Sequence, residues 1–373
     1  MQLQHFAPSD PTFRTSQQFA DELQPLLANS TAPATASVIG QSEQQRDILA
    51  ITIGQGPKHI SLIAGNHADE PVGPETLRHL ITHILTHPDQ HTQLLNSHTL
   101  TIIPHTNPDG EALNQPWINN WPDPIAYLTH AHREPPGRDL EFGYPDHPTL
   151  QDGLPSLRIE NQHAANYLNQ HAPFNLHMSL HGMAVAEGAW FLIERNWIDR
   201  TQQLQQHWLE LIAQHQLDPF DWDRNGDKGF EYIGPGFSTT PRGQAMRDHF
   251  LNDNDPQTAA LFHNSSMEYI HAISNDPLCL VTELPLFILK PNNHTDQPPT
   301  TPGTPSRYLR FKQSLPKLRL AIEKGATPDQ VNEQLGPSTL EPLPLEAAIK
   351  LQLHAIQLGL DTIADTASKE GSV

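Results

Sequence analysis

Four short stretches of this chain put residues that can hold a metal or move a proton where strands or turns end. The first is Gly65-Asn66-His67-Ala68-Asp69-Glu70-Pro71, with an imidazole and a carboxylate three residues apart. Across a strand-to-helix turn the two can point at one cation, and zinc accepts both His nitrogen and Glu oxygen. The pair is not specific by itself. The chain has 23 histidines, and a second His-x-x-Glu, His207 and Glu210, falls in a Gln-rich helical stretch where a solvated face explains it. The second stretch is Ser179-Leu180-His181-Gly182. Strand alternation puts His177, Ser179 and His181 on one face, with His181 last before a glycine and able to reach over the sheet edge. His177, on the same face, is the rival ligand. The third is Val281-Thr282-Glu283-Leu284-Pro285. A glutamate ending an apolar strand is either paired or working, and burial would raise its pKa toward that of a general base. The fourth is the turn Asn107-Pro108-Asp109-Gly110, with Arg133 and Arg138 downstream. Turn chemistry alone accounts for the tetrapeptide, but chemistry on a carbonyl also calls for a fixed cation beside the developing oxyanion.

These residues need a scaffold, and the pattern predicts one. Helical spacing marks 15–27 and the segment opened by Pro71, which buries Leu77, Leu80, Ile81, Ile84 and Leu85 and stops at Pro88. Short strands are expected at 37–39, 47–52, 59–63, 99–103, 175–181, 189–194 and 278–283. Further helices are expected at 157–170 and 198–215. The stretches 104–154 and 218–264, dense in Pro, Asn, Asp and Gly, read as loop. Strands that are apolar without clean alternation, interleaved with helices, predict an α/β fold: a mixed parallel and antiparallel twisted sheet with helices on both faces. Ligands then gather beyond the C-terminal strand ends. Residues 1–290 are expected to form the catalytic domain and 291–306 a Pro/Thr/Asn-rich linker. Residues 307–373 are expected as an extension of C-terminal helices, near 308–324 and 345–364.

Taken in this order, the four stretches resemble the zinc carboxypeptidase superfamily, including its aspartoacylase and succinylglutamate desuccinylase branch. The resemblance runs from about Pro57 to Phe287. It implies one Zn2+ ion held by His67, Glu70 and His181, with water in the fourth place. Three protein ligands leave that position open, and zinc lowers the pKa of its water to about 7. It further implies that Arg133 polarises the scissile carbonyl and that Glu283 is the general base, then the acid to the leaving amine.

One segment departs from the family pattern. Gly137-Arg138-Asp139-Leu140-Glu141-Phe142 aligns with the family's Gly-x-Asp-Leu-Asn-Arg, whose Asn and Arg hold a substrate's terminal carboxylate. Glu141 and Phe142 cannot do that. Either another arginine (Arg138, Arg158, Arg195 or Arg242) reaches the carboxylate, or Glu141 binds a cationic group, or the chain is an inactive relative. Asn107, Arg138, Glu141 and Phe142 are therefore the expected substrate-binding residues. Tyr269 joins them in place of the family's capping tyrosine, with Tyr232 a more distant candidate.

The remaining features narrow the class. Lys and Arg number 22 against 42 Asp and Glu, a formal charge of −20, which repels phosphate backbones and argues against nucleic acid. No apolar run approaches the ~20 residues of a membrane span, and residues 1–12 lack the pattern of a secretory signal. With one cysteine, Cys279, in an apolar run, the expectation is a cytoplasmic enzyme without disulfides. The histidines at 79, 83, 87 and 91 are read as a solvated helix face, and Asp221, Asp223 and Asp227 as an incomplete calcium loop. The expected substrates are peptides or N-acyl amino acids. An aspartoacylase-like deacylase and a non-catalytic zinc-binding relative are the alternatives.

Overall fold

The computed structural model of the chain describes residues 3–146, 157–291, 302–336 and 338–370. Its strands are β1 (Ala34–Gln41), β2 (Asp47–Gly54), β3 (Lys58–Ala64), β4 (His98–Ile103), β5 (Leu176–Ala186), β6 (Gly188–Ile193), β7 (Asp218–Pro219), β8 (Tyr232–Gly234), β9 (Phe237–Thr239), β10 (Leu278–Pro291) and β11 (Ser338–Pro342). The helices are α1 (Ser16–Asn29), α2 (Val72–Thr86), α3 (Thr92–Ser97), α4 (Pro108–Ile118), α5 (Pro124–His130), α6 (Ile159–His171), α7 (Gln202–Gln214), α8 (Gly243–Asn252), α9 (Pro256–Ala259), α10 (Ser266–Ile273), α11 (Ser306–Glu323), α12 (Pro328–Gln334) and α13 (Leu345–Glu370).

The strands form a mixed sheet in the order β1-β2-β4-β3-β5-β10-β6-β9-β8, with β11 on β10 and β7 on β6. Its centre, β4-β3-β5-β10, is parallel, and β2 and β6 flank it antiparallel. Side chains on successive residues leave the two faces alternately, and both faces are covered. Leu280, Leu284 and Phe191 join the helices α2, α7 and α13 in one core. Cys279, Val281 and Trp190 join α6 and α10 in the other. Strands buried on both sides are mostly apolar, as β10 is; β5 is buried from Leu176 to Gly182 yet alternates Leu176, Met178 and Leu180 with His177, Ser179 and His181, so its polar face is a buried one. The mixed α/β sheet expected from the sequence is the fold observed.

Local chemistry sets the ends of several helices. Thr15 Oγ1 accepts from Gln18 N at 3.1 Å while Gln18 Oε1 accepts from Thr15 N at 2.8 Å, closing the start of α1 reciprocally. Ser265 and Glu268 do the same for α10. α2 carries the expected apolar stripe into the core.

Three expectations fail here. The stretch read as loop from 104 contains α4 and α5, each opened by a proline in its first turn under an Asn107 or Asp123 cap. The prolines that looked like loop composition are helix starters; the end of that stretch, 147–154, lies outside the described residues. The stretch 218–264 likewise contains β7, β8, β9, α8 and α9. His79, His83, His87 and His91 do not form a solvated face. His91 is fully buried, its Nε2 lies 2.8 Å from His83 Nδ1, and both rings pack against Phe6.

The C-terminal part is built into the sheet and core. β11, unforeseen as a strand, pairs with β10 from Phe287–Pro342 to Pro291–Ser338. Leu345, Ile349, Leu353 and Ile356 of α13 share one core with α2 and β5. Most of the expected linker, 292–301, lies outside the described residues. Among the described residues no helix is long and apolar enough to cross a membrane.

Candidate metal centre and active site

The turn after β3 carries the first two ligands. Gly65 takes φ +79°, and a Cβ there would meet the His105 ring at 2.4 Å, so glycine is the residue that fits. The chain then bends through Asn66 and His67 to Glu70 and enters α2. His181 belongs to β5, the neighbour of β3, and Glu283 to β10, the neighbour of β5. In the parallel register Glu283 stands opposite His181. Three adjacent strands thus deliver the candidates to one sheet face.

His67 Nδ1 lies 2.8 Å from Glu70 Oε1, and His181 Nδ1 lies 2.9 Å from Glu70 Oε2 and 3.1 Å from His67 Nδ1. Bare lone pairs of two imidazole nitrogens would repel at that separation, whereas a cation shared with the carboxylate satisfies all three. The donor set of two nitrogens and one carboxylate suits zinc. Among the described residues it is the cluster of His, Cys, Asp or Glu whose ligand atoms lie close enough together to hold a metal, all within 4.8 Å. His177, the rival, stands apart: its Nδ1 is 2.9 Å from Ser61 Oγ, and burial pushes its ring down to about 3.

The electrostatics are those of a buried charge cluster. Burial would raise the Glu70 carboxyl, but His67, Arg133 and His181 outweigh it and hold it well below the usual carboxylate range. Gly182 N also donates to Glu70 Oε2 at 3.2 Å. Burial likewise opposes charge on His181, yet Glu70 and Glu141 on its two sides hold its pKa well above the usual value. Burial, reinforced by repulsion from Glu70, pushes the Glu283 carboxyl up to about 8. Among the described residues Glu283 makes no side-chain hydrogen bond or ion pair. Arg133 donates through one terminal nitrogen to Glu70 Oε1 at 2.8 Å and Asp69 Oδ1 at 3.1 Å, with its side chain 45% exposed. Tyr127 OH donates to the other oxygen of Asp69 at 2.9 Å.

The five expected substrate-binding residues are engaged elsewhere. Asn107 caps α4 through Gly110 N and donates to Glu134. Arg138 pairs with Glu43 at the surface. Phe142 is buried against Phe262. Tyr269 OH donates to the Ala165 carbonyl in the core. Glu141 is buried behind His181, its Oε2 3.1 Å from His181 Nε2. Of the arginines offered as substitutes, Arg158 pairs with Glu160 and Glu134 and Arg195 with Glu231 and two carbonyls, while Arg242 is exposed before α8.

Several neighbours of the cluster were invisible in the sequence. Trp190, opposite Glu283 on β6, begins an aromatic wall: it stacks on Phe230 (centroids 5.1 Å) and meets Trp222 at 6.0 Å. Tyr308 of α11 closes that wall against Trp222 at 5.3 Å, within electrostatic reach of Arg224, Arg133 and Glu283. Arg224 lies over Trp222 and Phe230 at 4.7 and 4.3 Å, with a buried Nε that has no hydrogen-bond partner. Gln352 of α13 donates to the His181 carbonyl at 3.1 Å. These residues come from segments far apart in the chain. Asp221 and Asp227 serve Tyr232 and Arg224, not a calcium ion.

Residues 22–191 match the zinc carboxypeptidase family. The chain is 30% identical to carboxypeptidase M of Mus musculus over 119 residues, 29% of this chain and 25% of that protein. It is 29% identical to carboxypeptidase D of Drosophila melanogaster over 115 residues, 28% of this chain and 8% of that protein. The alignments thus span a quarter or less of these relatives. Carboxypeptidase A from Helicoverpa armigera has the same fold, with a TM-score of 0.50 at 13% identity, covering 95% of this chain and 75% of that one. The family match includes His67, Glu70 and His181 and stops before Glu283.

Proposed function

We propose that this chain is a zinc-dependent hydrolase of the carboxypeptidase type, cleaving a peptide or N-acyl amide bond with His67, Glu70 and His181 as metal ligands. The observation that supports this most is the pairing of the uncommitted Glu283 with His181 across β10 and β5, beside the three converging ligand atoms. Zinc bound there supplies a Lewis acid for the carbonyl oxygen and acidifies water at the site.

The chain's own groups do the rest. Glu283, held protonated below about 8 in the metal-free site by burial and Glu70, would be ionised by a dication beside it and would then take a proton from the attacking water and hand it to the leaving amine. Arg133, held between Asp69 and Glu70, is the fixed cation for the developing oxyanion. Trp190, opposite Glu283, with Trp222 packed onto it and Tyr308 onto Trp222, would form an apolar wall beside the base. With Phe142 facing the core, Arg224 is the cation we assign to a substrate's terminal carboxylate. Hydrolysis of N-acyl amino acids uses the same groups. A cytoplasmic setting belongs to this proposal too, in keeping with the buried free thiol of Cys279.

The test is Glu283→Gln in the full chain. The variant should keep stoichiometric zinc and lose about 10²–10⁴-fold in kcat on a dipeptide and N-acyl amino acid panel. Wild-type turnover by the variant, or a purified chain that cannot be loaded with zinc, would end the reading.

A further inference from the structure

We infer that Glu141 is a positioning residue for the metal ligand His181, and not a substrate-binding group. The inference rests on the metal reading above. Glu141 occupies the place at which the family pattern has a substrate-binding asparagine, yet it is 4% exposed and turned inward. Its Oε2 accepts from Asn66 Nδ2 at 2.6 Å and lies 3.1 Å from His181 Nε2. Its Oε1 accepts from Ser266 Oγ at 3.2 Å.

The consequence follows from donor and acceptor counting. A carboxylate only accepts, so the hydrogen between Glu141 and His181 belongs to Nε2. A neutral imidazole with its hydrogen on Nε2 must present its lone pair at Nδ1, the atom that faces Glu70 and His67. Glu141 thereby selects the ligating tautomer, fixes the ring's rotation and strengthens the donor, as a carboxylate behind a metal-bound histidine does. Ser179 Oγ, 2.8 Å from the same Nε2, stands beside it, and its hydroxyl can turn to accept as well. Charge points the same way: with neutral imidazoles, Glu70 and Glu141 together carry two negative charges toward a divalent cation.

The backbone holds this carboxylate in place independently of any substrate. Leu140 N donates to Asn66 O at 3.2 Å, and Asn161 Nδ2 donates to Leu140 O at 2.8 Å. Asp139 Oδ1 accepts from Glu141 N at 3.2 Å. The loop is thus anchored to the ligand-bearing turn on one side and to α6 on the other.

Glu141→Gln in the full chain keeps the side chain's size and removes its charge. Competition with a chromophoric chelator should show zinc affinity weakened about 10–100-fold, with KM for the best panel substrate within a few-fold of wild type. Nitrogen-15 NMR of the zinc-loaded wild type supplies a reading that does not depend on the variant's folding: His181 should carry its hydrogen on Nε2. A variant with unchanged zinc affinity and KM raised tenfold or more, or a His181 protonated at Nδ1 alone, overturns the inference and makes Glu141 a substrate group. A wild-type chain that takes up no zinc overturns the metal reading itself, and this inference with it.

Discussion

Loading the site with zinc must drive protons out of it, and the structure says how many. In the metal-free site His181 has carboxylates at both nitrogens, and against the cost of burial they keep it protonated well above the usual histidine range. A metal at Nδ1 displaces that proton. Glu283 is protonated below about 8, because burial and Glu70 both disfavour its charge. A dication beside it reverses the balance and draws its proton off. Each proton released makes the observed affinity rise tenfold per pH unit, about 1.36 kcal/mol. Between about pH 6.5 and 7.5, zinc affinity should therefore rise about 100-fold in the wild type and about tenfold in Glu283→Gln, which keeps only the His181 proton. Chelator competition gives the affinities, and calorimetry in buffers of different ionisation enthalpy counts the protons directly. An affinity flat across that interval, with heats independent of buffer, would refute the charge assignments of both residues.

Two further outcomes test the pocket and the core. Arg224→Ala should raise KM at least tenfold for substrates ending in a free carboxylate and leave the same substrates, amidated, unchanged. Equal effects on both would remove Arg224 from the carboxylate site. Phe191, fully buried on β6 against Trp208 at 5.0 Å, should cost roughly 3–5 kcal/mol when cut to alanine, read from the denaturation midpoint.

The sheet's centre was legible because its physics is local to each strand. β3 and β10 carry apolar runs that advertise central strands, and β5 shows itself by the alternation of Leu176, Met178 and Leu180 with His177, Ser179 and His181. His67 and Glu70 were legible because they follow a strand end at Gly65, which lets the chain turn; His181 was legible although β5 runs on past the expected end at 181 to Ala186, as β10 runs on past 283 to Pro291. α4 and α5 were not, since their opening prolines carry loop composition and their buried faces are short. β11 pairs only with β10, some 50 residues earlier, and nothing in its own five residues announces that. Tyr269 was chosen by spacing along the chain and sits in the core. Tyr308, which does stand by the site, comes after Glu283, where linear spacing would not look. Glu141 was read by its type alone; only the fold shows which atom it faces.

Gln352 gives the site a schedule as well as a shape. Its side chain joins the Thr76 hydroxyl of α2 at 2.7 Å, the His181 carbonyl of β5 at 3.1 Å and the Thr282 hydroxyl of β10 at 3.3 Å. During synthesis His67, Glu70, His181 and even Glu283 emerge from the ribosome before the helix that ties their strands together. Contacts so distant in sequence form late, because closing long loops costs entropy before it returns any stabilisation. Metal capture is accordingly a closing step of folding, not a nucleus for it. A chain stopped before Leu345 should carry every ligand and still hold zinc poorly in the same competition titration, whereas tight binding by it would make the metal an early organiser.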